Sequence, residues 1–192
     1  MDLNLPTAIR LRQAFPSTMR DAVDLALKHV EPGRHEPTAD DIGPIVVEGE
    51  RLHIPCRVYF SEPTIGDLAQ LPVTSEIVIR CLLTRHHDGY VRETHLRSIL
   101  PLRLPWVPPF VIQLLGEYVI EIQNLIHMNL DVIRNPTYSQ FIEDNREFIT
   151  LTRQRIISYW NCYHRFSREE GIFLNRFLKD YAAYQALERL AP

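Results

Sequence analysis

A short polar segment between two apolar stretches constrains the fold of this chain more than any other feature. It reads Arg85-His86-His87-Asp88-Gly89-Tyr90-Val91-Arg92-Glu93. The flanking stretches, 74–85 and 89–100, carry apolar residues at helical spacing. An aspartate can accept a hydrogen bond from a free backbone N–H at the start of a helix, so Asp88 is suited to begin the second one. The segment predicts a tight joint between two helices.

The composition is that of a globular chain with a sizeable core. Of the 192 residues, 45% are hydrophobic and 23% are charged, which excludes disorder of the whole chain. The net charge is −3 and no tract is polybasic, so charge alone does not indicate a nucleic-acid partner. The sequence has no G-x-S-x-G, H-E-x-x-H or glycine-rich phosphate loop. We therefore expect no cofactor, and we favour a protein that is not an enzyme.

The cysteines and the N-terminus bear on where the protein works. Cys56, Cys81 and Cys162 are scattered and form no C-x-x-C motif, which favours free thiols in a reducing compartment. The first residues lack a basic region followed by an apolar core, and no apolar run approaches about 20 residues. We expect a cytoplasmic protein without a membrane segment.

The first part of the chain predicts one helix and an exposed linker. Residues 18–30 have an apolar stripe at helical spacing, and Thr18 with Asp21 matches a capping box. Residues 31–43 are polar and contain proline and glycine, which is typical of a linker.

The hydrophobic period changes after the linker. Residues 44–60 predict two strands joined at Glu48 and Gly49. In the second strand the apolar Leu52, Ile54, Cys56 and Val58 alternate with polar residues such as His53 and Arg57, which suits a strand with one face in water. An isolated hairpin is marginally stable, so it must pack on the helices. We therefore expect an N-terminal region, 1–73, packed as one unit with a helical domain, 74–192.

Three more helices are predicted towards the C-terminus. Residues 109–130 are the most apolar and predict one long, central helix. A helix from 137 to about 163 and a last helix follow. Their starts match capping boxes, Thr137 with Gln140 and Ser167 with Glu170. The predicted fold is mainly α, an antiparallel helical stack with a small N-terminal β-hairpin.

The joint within 74–100 resembles one repeat of the HEAT family. In such repeats a helix leads through a short turn with aspartate into Val-Arg and a second helix, as in Asp88-Gly89-Tyr90-Val91-Arg92. The resemblance implies that Val91 faces the core and that Arg92 meets an aspartate of an adjacent turn. The residues Gly116-Glu117-Tyr118-Val119-Ile120 resemble an eroded second copy within 106–128.

The resemblance also implies a function. HEAT-like stacks mostly bind proteins along a concave face, so we expect a non-enzymatic protein–protein interaction module of the adaptor or scaffold type. Homodimerisation through an exposed apolar helix face is a further possibility. Trp106 lies in a proline-braced loop, where it suits either a surface anchor for a partner or a plug between two helix pairs.

Two carboxylates on the apolar 109–130 segment form a candidate structural network. Glu117 and Glu121 are four residues apart and share a face if the segment is helical. If they are buried, they need arginine partners. Candidate members on the preceding helices are Asp88, Arg80, Arg92 and Arg97.

Histidines near the joint suggest an alternative function. The pair His87-Asp88, together with His127 and Asp131, resembles the His-Asp groups of HD-type metal-dependent phosphohydrolases, which are all-helical. The same residues are also typical of exposed or capping groups at turns. The adjacent His86 and His87 cannot both face one ion if their segment is helical.

A third function is suggested by the C-terminal part of the chain. Arginines interleaved with aromatic residues can hold phosphates and stack on bases, which indicates nucleic-acid binding. They also fit ordinary helix packing, and neighbouring acids dilute their charge. The residues are Arg153, Gln154, Arg155, Tyr159, Trp160, Tyr163, His164, Arg165, Phe166 and Arg168.

Overall fold

The fold is mainly helical, as predicted, with a small hairpin near its front. The computed structural model describes residues 5–31, 33, 35–38, 43–169 and 172–191. The α-helices in this part are α1 Leu5–Arg12, α2 Arg20–Leu27, α3 Ile65–Ala69, α4 Val73–Leu83, α5 Gly89–Ile99, α6 Pro108–Leu115, α7 Ile120–Met128, α8 Leu130–Ile133, α9 Pro136–Asp144, α10 Arg146–Tyr159 and α11 Ala182–Leu190. The strands are β1 Ile45–Val47, β2 Glu50–Leu52, β3 Phe166–Glu169 and β4 Ile172–Asn175.

The predicted joint is present. Helices α4 and α5 pack against each other, and α2 packs against α4. The Asp88 side chain accepts a hydrogen bond from the backbone N–H of Tyr90 at 2.8 Å and so begins α5. A strand-like contact braces the same joint. The N–H of Val58 donates to the backbone carbonyl of Arg85 at 2.9 Å, and the Val58 carbonyl accepts from the N–H of His87 at 3.1 Å.

The predicted hairpin is also present, although its second strand is shorter than expected. Strands β1 and β2 are antiparallel, and the turn residues Glu48 and Gly49 have φ values of 51° and 82°. Positive φ at both positions is what a two-residue turn of type I′ requires. Strand β2 ends at Leu52, three residues before Pro55, which has no N–H to donate to a ladder.

Local capping patterns were misleading before residue 74. Thr18 and Asp21 do not form the predicted capping box, because the residue that caps α2 is Met19, and no side chain caps the helix there. The capping box in this region is instead formed by Thr64 and Asp67 at the start of α3. Helices α1 and α3 were not predicted. Part of the predicted linker (32, 34 and 39–42) lies outside the described residues.

The two long helices that the sequence predicts are each divided. The 109–130 segment forms α6 and α7, separated at residues 116–119, and the 137–163 segment forms α9, α10 and a π-helical turn, Trp160–His164. Asn145 ends α9. Its side chain donates to the carbonyl of Phe141 at 2.8 Å, and it both donates to and accepts from the backbone of Val46 in β1.

The prediction that the last helix begins near Ser167 was wrong. Strands β3 and β4 form an antiparallel pair there, and α11 begins only at Ala182. The predicted cap residue Glu170 lies outside the described residues. Helix α11 packs against α6, α7 and α10. The buried apolar core extends in sequence from Leu11 to Ala191. Within the described ranges, no helix has the length and apolar character needed to cross a membrane.

Candidate functional site: a buried arginine–glutamate cluster

The least ordinary part of the interior is a carboxylate in the link between α6 and α7. Glu117 is only 6% exposed. Its N–H donates to the carbonyl of Leu114 at 3.3 Å, and its carbonyl accepts from the side-chain amide of Gln123. These contacts hold the link in a fixed shape. An isolated buried carboxylate would be strongly unfavourable, so Glu117 needs cationic partners.

Three arginines provide them. Arg57 forms a bidentate contact with Glu117, in which Nη1 donates to Oε1 at 2.9 Å and Nη2 donates to Oε2 at 3.0 Å. Arg85 approaches Oε1 through Nη2 at 2.6 Å, and Nε of Arg92 lies 3.3 Å from Oε2. Arg85 and Arg92 are each only 1% exposed. We call Glu117 with these three residues the arginine cluster.

The arginine cluster ties three distant segments together. Arg85 donates from Nε to the carbonyl of Pro55 at 3.2 Å and from Nη2 to that of Cys56 at 2.9 Å. Arg92 donates from Nη1 to the carbonyls of His86 and His87, at 2.8 and 3.0 Å. The cluster therefore joins the chain after the hairpin, the α4–α5 joint and the α6–α7 link.

The arginine cluster contains three arginines and one carboxylate. Burial raises the pKa of Glu117, but Arg85, Arg57 and Arg92 together outweigh burial and bring the pKa below its ordinary value of 4.5. Burial lowers the pKa of Arg85, and Glu117 opposes that shift. A guanidinium stays protonated in proteins at neutral pH. Among the described residues, Glu117 is the only carboxylate in an ion pair with Arg57, Arg85 or Arg92.

Only two residues of the predicted network meet. Arg92 reaches Glu117, whereas the exposed Glu121 lies at the start of α7 and the exposed Asp88 serves as the cap of α5. Because α6 ends before Glu117, the two glutamates do not share one helix, and the argument for their common face fails.

The other predicted partners are engaged locally, and two central arginines were missed. Arg80 pairs with Glu76 and Arg97 pairs with Glu93, each one helical turn away. Arg57 and Arg85 were not predicted as members. The one signal for Arg85 in the sequence is its position directly after the apolar run of α4. A charged residue that is buried with such neighbours needs a paired charge.

The structure does not gather the residues of the predicted metal site. His87 stacks on Tyr59, with ring centroids 5.4 Å apart, and Asp88 caps α5. His127 is half-buried near the end of α7, and Asp131 is exposed in α8. Among the residues with described positions, no three His, Cys, Asp or Glu side chains are grouped closely enough to hold a metal ion. The site proposed from the His-Asp pattern is therefore not formed.

Two other histidines are held neutral at the joint. His86 is arranged to donate from Nε2 to the Phe60 carbonyl at 3.1 Å and to accept the Asp88 N–H at Nδ1. His95 donates from Nε2 to Glu62 at 2.7 Å, and its buried Nδ1 has no described partner. Burial lowers the pKa of both rings, and His87 lowers that of His86 further.

We predict that stability falls as the pH falls through about 6.5, the ordinary histidine pKa. The unfolded chain takes up protons on His86 and His95 there, while the folded chain resists them because both pKa values are lowered. The stabilising contribution is complete above that pH and is lost below it. Urea midpoints measured from pH 8 to about pH 5.5 test this, and His95→Gln should flatten the dependence. Equal midpoints across this range in the original protein would contradict it.

Trp106 is part of the core. Its side chain is 6% exposed and meets the ring of Phe15 edge-on at 5.6 Å, and Phe15 in turn stacks on Phe110 at 5.3 Å. The prediction that Trp106 anchors a partner from the surface is therefore wrong, and the alternative, a plug between helices, fits the packing.

The predicted arginine–aromatic segment forms an exposed surface beside the arginine cluster. Tyr118, Tyr159 and Tyr163 lie 5.9 to 6.2 Å apart by ring centroids, and we call them the tyrosine cluster. Tyr118 and Tyr163 are 52% and 63% exposed. The π-helical turn continues α10 and carries Tyr163, and such turns are frequent at functional sites.

The basic side chains of this segment have different surroundings. The Arg165 guanidinium lies 5.0 Å from the ring centroid of Phe166 and 5.6 Å from that of Trp160. Arg153 pairs with Glu188 at 2.8 Å. The side chain of Arg168 lies outside the described residues.

No protein-family model matches the chain, and comparisons with curated proteins and with solved structures find no significant match.

Proposed function

We propose that this chain is a non-enzymatic protein-binding module of the adaptor type, and that the tyrosine cluster is its contact surface. The observation that carries the proposal is the grouping of three tyrosines with two of the rings more than half exposed. Tyrosine and arginine are the residues most enriched where binding energy concentrates in protein interfaces. A mutually packed group also loses little side-chain entropy when it is covered.

The charges beside the cluster indicate the partner's chemistry. Arg57 pairs with Glu117, the residue directly before Tyr118. Arg165 directly follows the π-helical turn that carries Tyr163. We infer that the partner is an acidic protein segment in which Asp or Glu stands next to an aromatic or aliphatic side chain. The apolar group would cover the tyrosines, and the carboxylate would face the arginines.

The architecture supports the same proposal. Helices α4 and α5 pack against each other, Asp88 caps α5 and Arg92 is buried, and these features support the proposed resemblance to one HEAT-like unit. The partner of Arg92 differs from the family pattern, because it is a glutamate of the α6–α7 link. The free cysteines Cys56, Cys81 and Cys162 support a reducing, cytoplasmic location.

We predict that Tyr163→Ala weakens peptide binding by about tenfold or more, since it removes an exposed ring from the centre of the surface. The probes are acidic–aromatic peptides selected from a random display library on the original protein, with affinity measured by titration. Tyr90→Ala is the matched control, because Tyr90 is 84% exposed but lies at the α4–α5 joint. Selection of no acidic peptides, or equal binding to Tyr163→Ala, would contradict the proposal.

Nucleic-acid binding is the second candidate for the same surface, because exposed tyrosines beside arginines also suit base stacking. The tyrosine rings meet each other at 27° to 51° rather than standing apart, and the net charge of −3 opposes a polyanion. Salt-sensitive retention of a single-stranded oligonucleotide that is lost in Tyr163→Ala would favour this function. A second copy of the chain is a third possible occupant, and sedimentation of the purified protein would detect it.

A further inference from the structure

A cavity borders the arginine cluster, and the contacts within the cluster do not fill it. The cavity measures about 240 Å³. The charged and polar residues of its wall include Arg57, Arg85, Arg155, Glu117, Gln113, Ser158 and Tyr159. Sites for drug-sized ligands begin at roughly 300 Å³, so this volume suits a smaller guest. A cavity of this size also greatly exceeds the space that one water molecule needs.

The wall of this cavity is rich in arginine. Glu117 is the only carboxylate that pairs with Arg57, Arg85 and Arg92 in the described part of the chain. Arg57, Arg85 and Arg155 line the cavity, and Glu117 is the one acidic residue among the described residues that line it. Arginine side chains recognise anionic groups through charge-assisted hydrogen bonds. A wall of this composition suits an anion.

Hydrogen-bond donors at the cavity point to the same conclusion. Nη1 of Arg85 is buried and has no hydrogen-bond partner among the described residues, although Nε and Nη2 of the same group are fully used. The side-chain amide of Gln113 is 3% exposed, and its Oε1 also lacks a described partner. Amide orientation is exchangeable, so either end of this group can face a ligand. Ser158 adds a hydroxyl at the rim.

We propose that this cavity is a binding site for a phosphate group. The planar guanidinium group of arginine matches the oxygens of phosphate and can bind them through two parallel hydrogen bonds. A phosphate carries a charge of about −1.5 to −2 at neutral pH, which suits a wall with three arginines and one glutamate. The phosphate is either free or the end of a small phosphate ester. Tyr159 belongs both to the wall of the cavity and to the tyrosine cluster. The two proposals are nevertheless tested separately, with different ligands and with variants of different residues, Ser158 and Tyr163.

Ser158 allows a test that leaves the interior intact. It is exposed at the cavity rim on α10, so Ser158→Glu adds a negative charge without removing a core contact. Ser158→Gln has nearly the same shape and no charge, and it is the matched control. We expect inorganic phosphate to bind the original protein one to one, Ser158→Glu to bind it at least about tenfold more weakly, and Ser158→Gln to bind it within about threefold of the original affinity.

Binding is measured by isothermal titration with inorganic phosphate at constant ionic strength, with chloride as the comparison anion. A parallel titration with glycerol phosphate distinguishes the two sources, since tighter binding of the ester assigns the site to a phosphate carried on a larger molecule. Arg153→Gln is a second control, because Arg153 lies on the same helix but pairs with Glu188. Phosphate that binds no better than chloride, or that binds Ser158→Glu as tightly as Ser158→Gln, would overturn the proposal.

Discussion

Replacing Glu117 by glutamine is expected to destabilise the fold by about 3–5 kcal/mol, the usual cost of removing one partner from a buried ion pair. Glutamine keeps the shape of the side chain but leaves Arg85 and Arg92 without a counter-charge, and both are 1% exposed. The contact with Arg57 loses its charge as well. Urea unfolding at pH 7, followed by circular dichroism, measures the change in the free energy of unfolding.

Glu121→Gln is the matched control for this prediction. Glu121 lies four residues further along the chain, but it is exposed and outside the arginine cluster. Its replacement should change the free energy of unfolding by no more than about 0.5 kcal/mol, as is usual for a surface position. If Glu117→Gln costs as little as this control, the cluster is not a structural centre and its charges are balanced in another way.

Interactions between near neighbours could be predicted from the sequence, and those between distant segments could not. The α4–α5 joint and the turn at Glu48 and Gly49 depend on signals that lie within a few residues, a cap and a pair of turn positions. The break at Asn145 depends on hydrogen bonds to Val46, 99 residues earlier. Periodicity alone predicts a continuous helix there.

The same distinction between near and distant contacts explains which residues of the arginine cluster could be predicted. The sequence identified Arg92 and Glu117 because a family resemblance and an apolar context drew attention to them. Arg57 is 60 residues from Glu117 and lies in a stretch whose alternation predicts an exposed strand face. The regular strand of that stretch ends at Leu52. Arg57 then forms only an isolated β-bridge with Thr38, and its side chain reaches the α6–α7 link. Only the folded chain brings the arginines together.

Replacing Trp106 by alanine is expected to cost about 3–5 kcal/mol of stability, as is usual for a buried tryptophan. The ring contacts Phe15, which connects the region after α1 to Phe110 in α6. Its loss therefore weakens the packing between the N-terminal region and the helices. Urea unfolding measures the cost, and Tyr90→Ala, at an exposed position, should change the free energy of unfolding by no more than about 0.5 kcal/mol.

The same variant separates the core role of Trp106 from the surface role that the sequence suggested. If Trp106 is a core residue, the Trp106→Ala variant should bind the selected acidic peptides with unchanged affinity, because its tyrosine cluster is intact. The comparison uses the folded variant in the absence of denaturant. A surface anchor would behave in the opposite way, with weaker binding and unchanged unfolding. The second pattern would contradict the burial of this ring and would move the contact surface to the loop between α5 and α6.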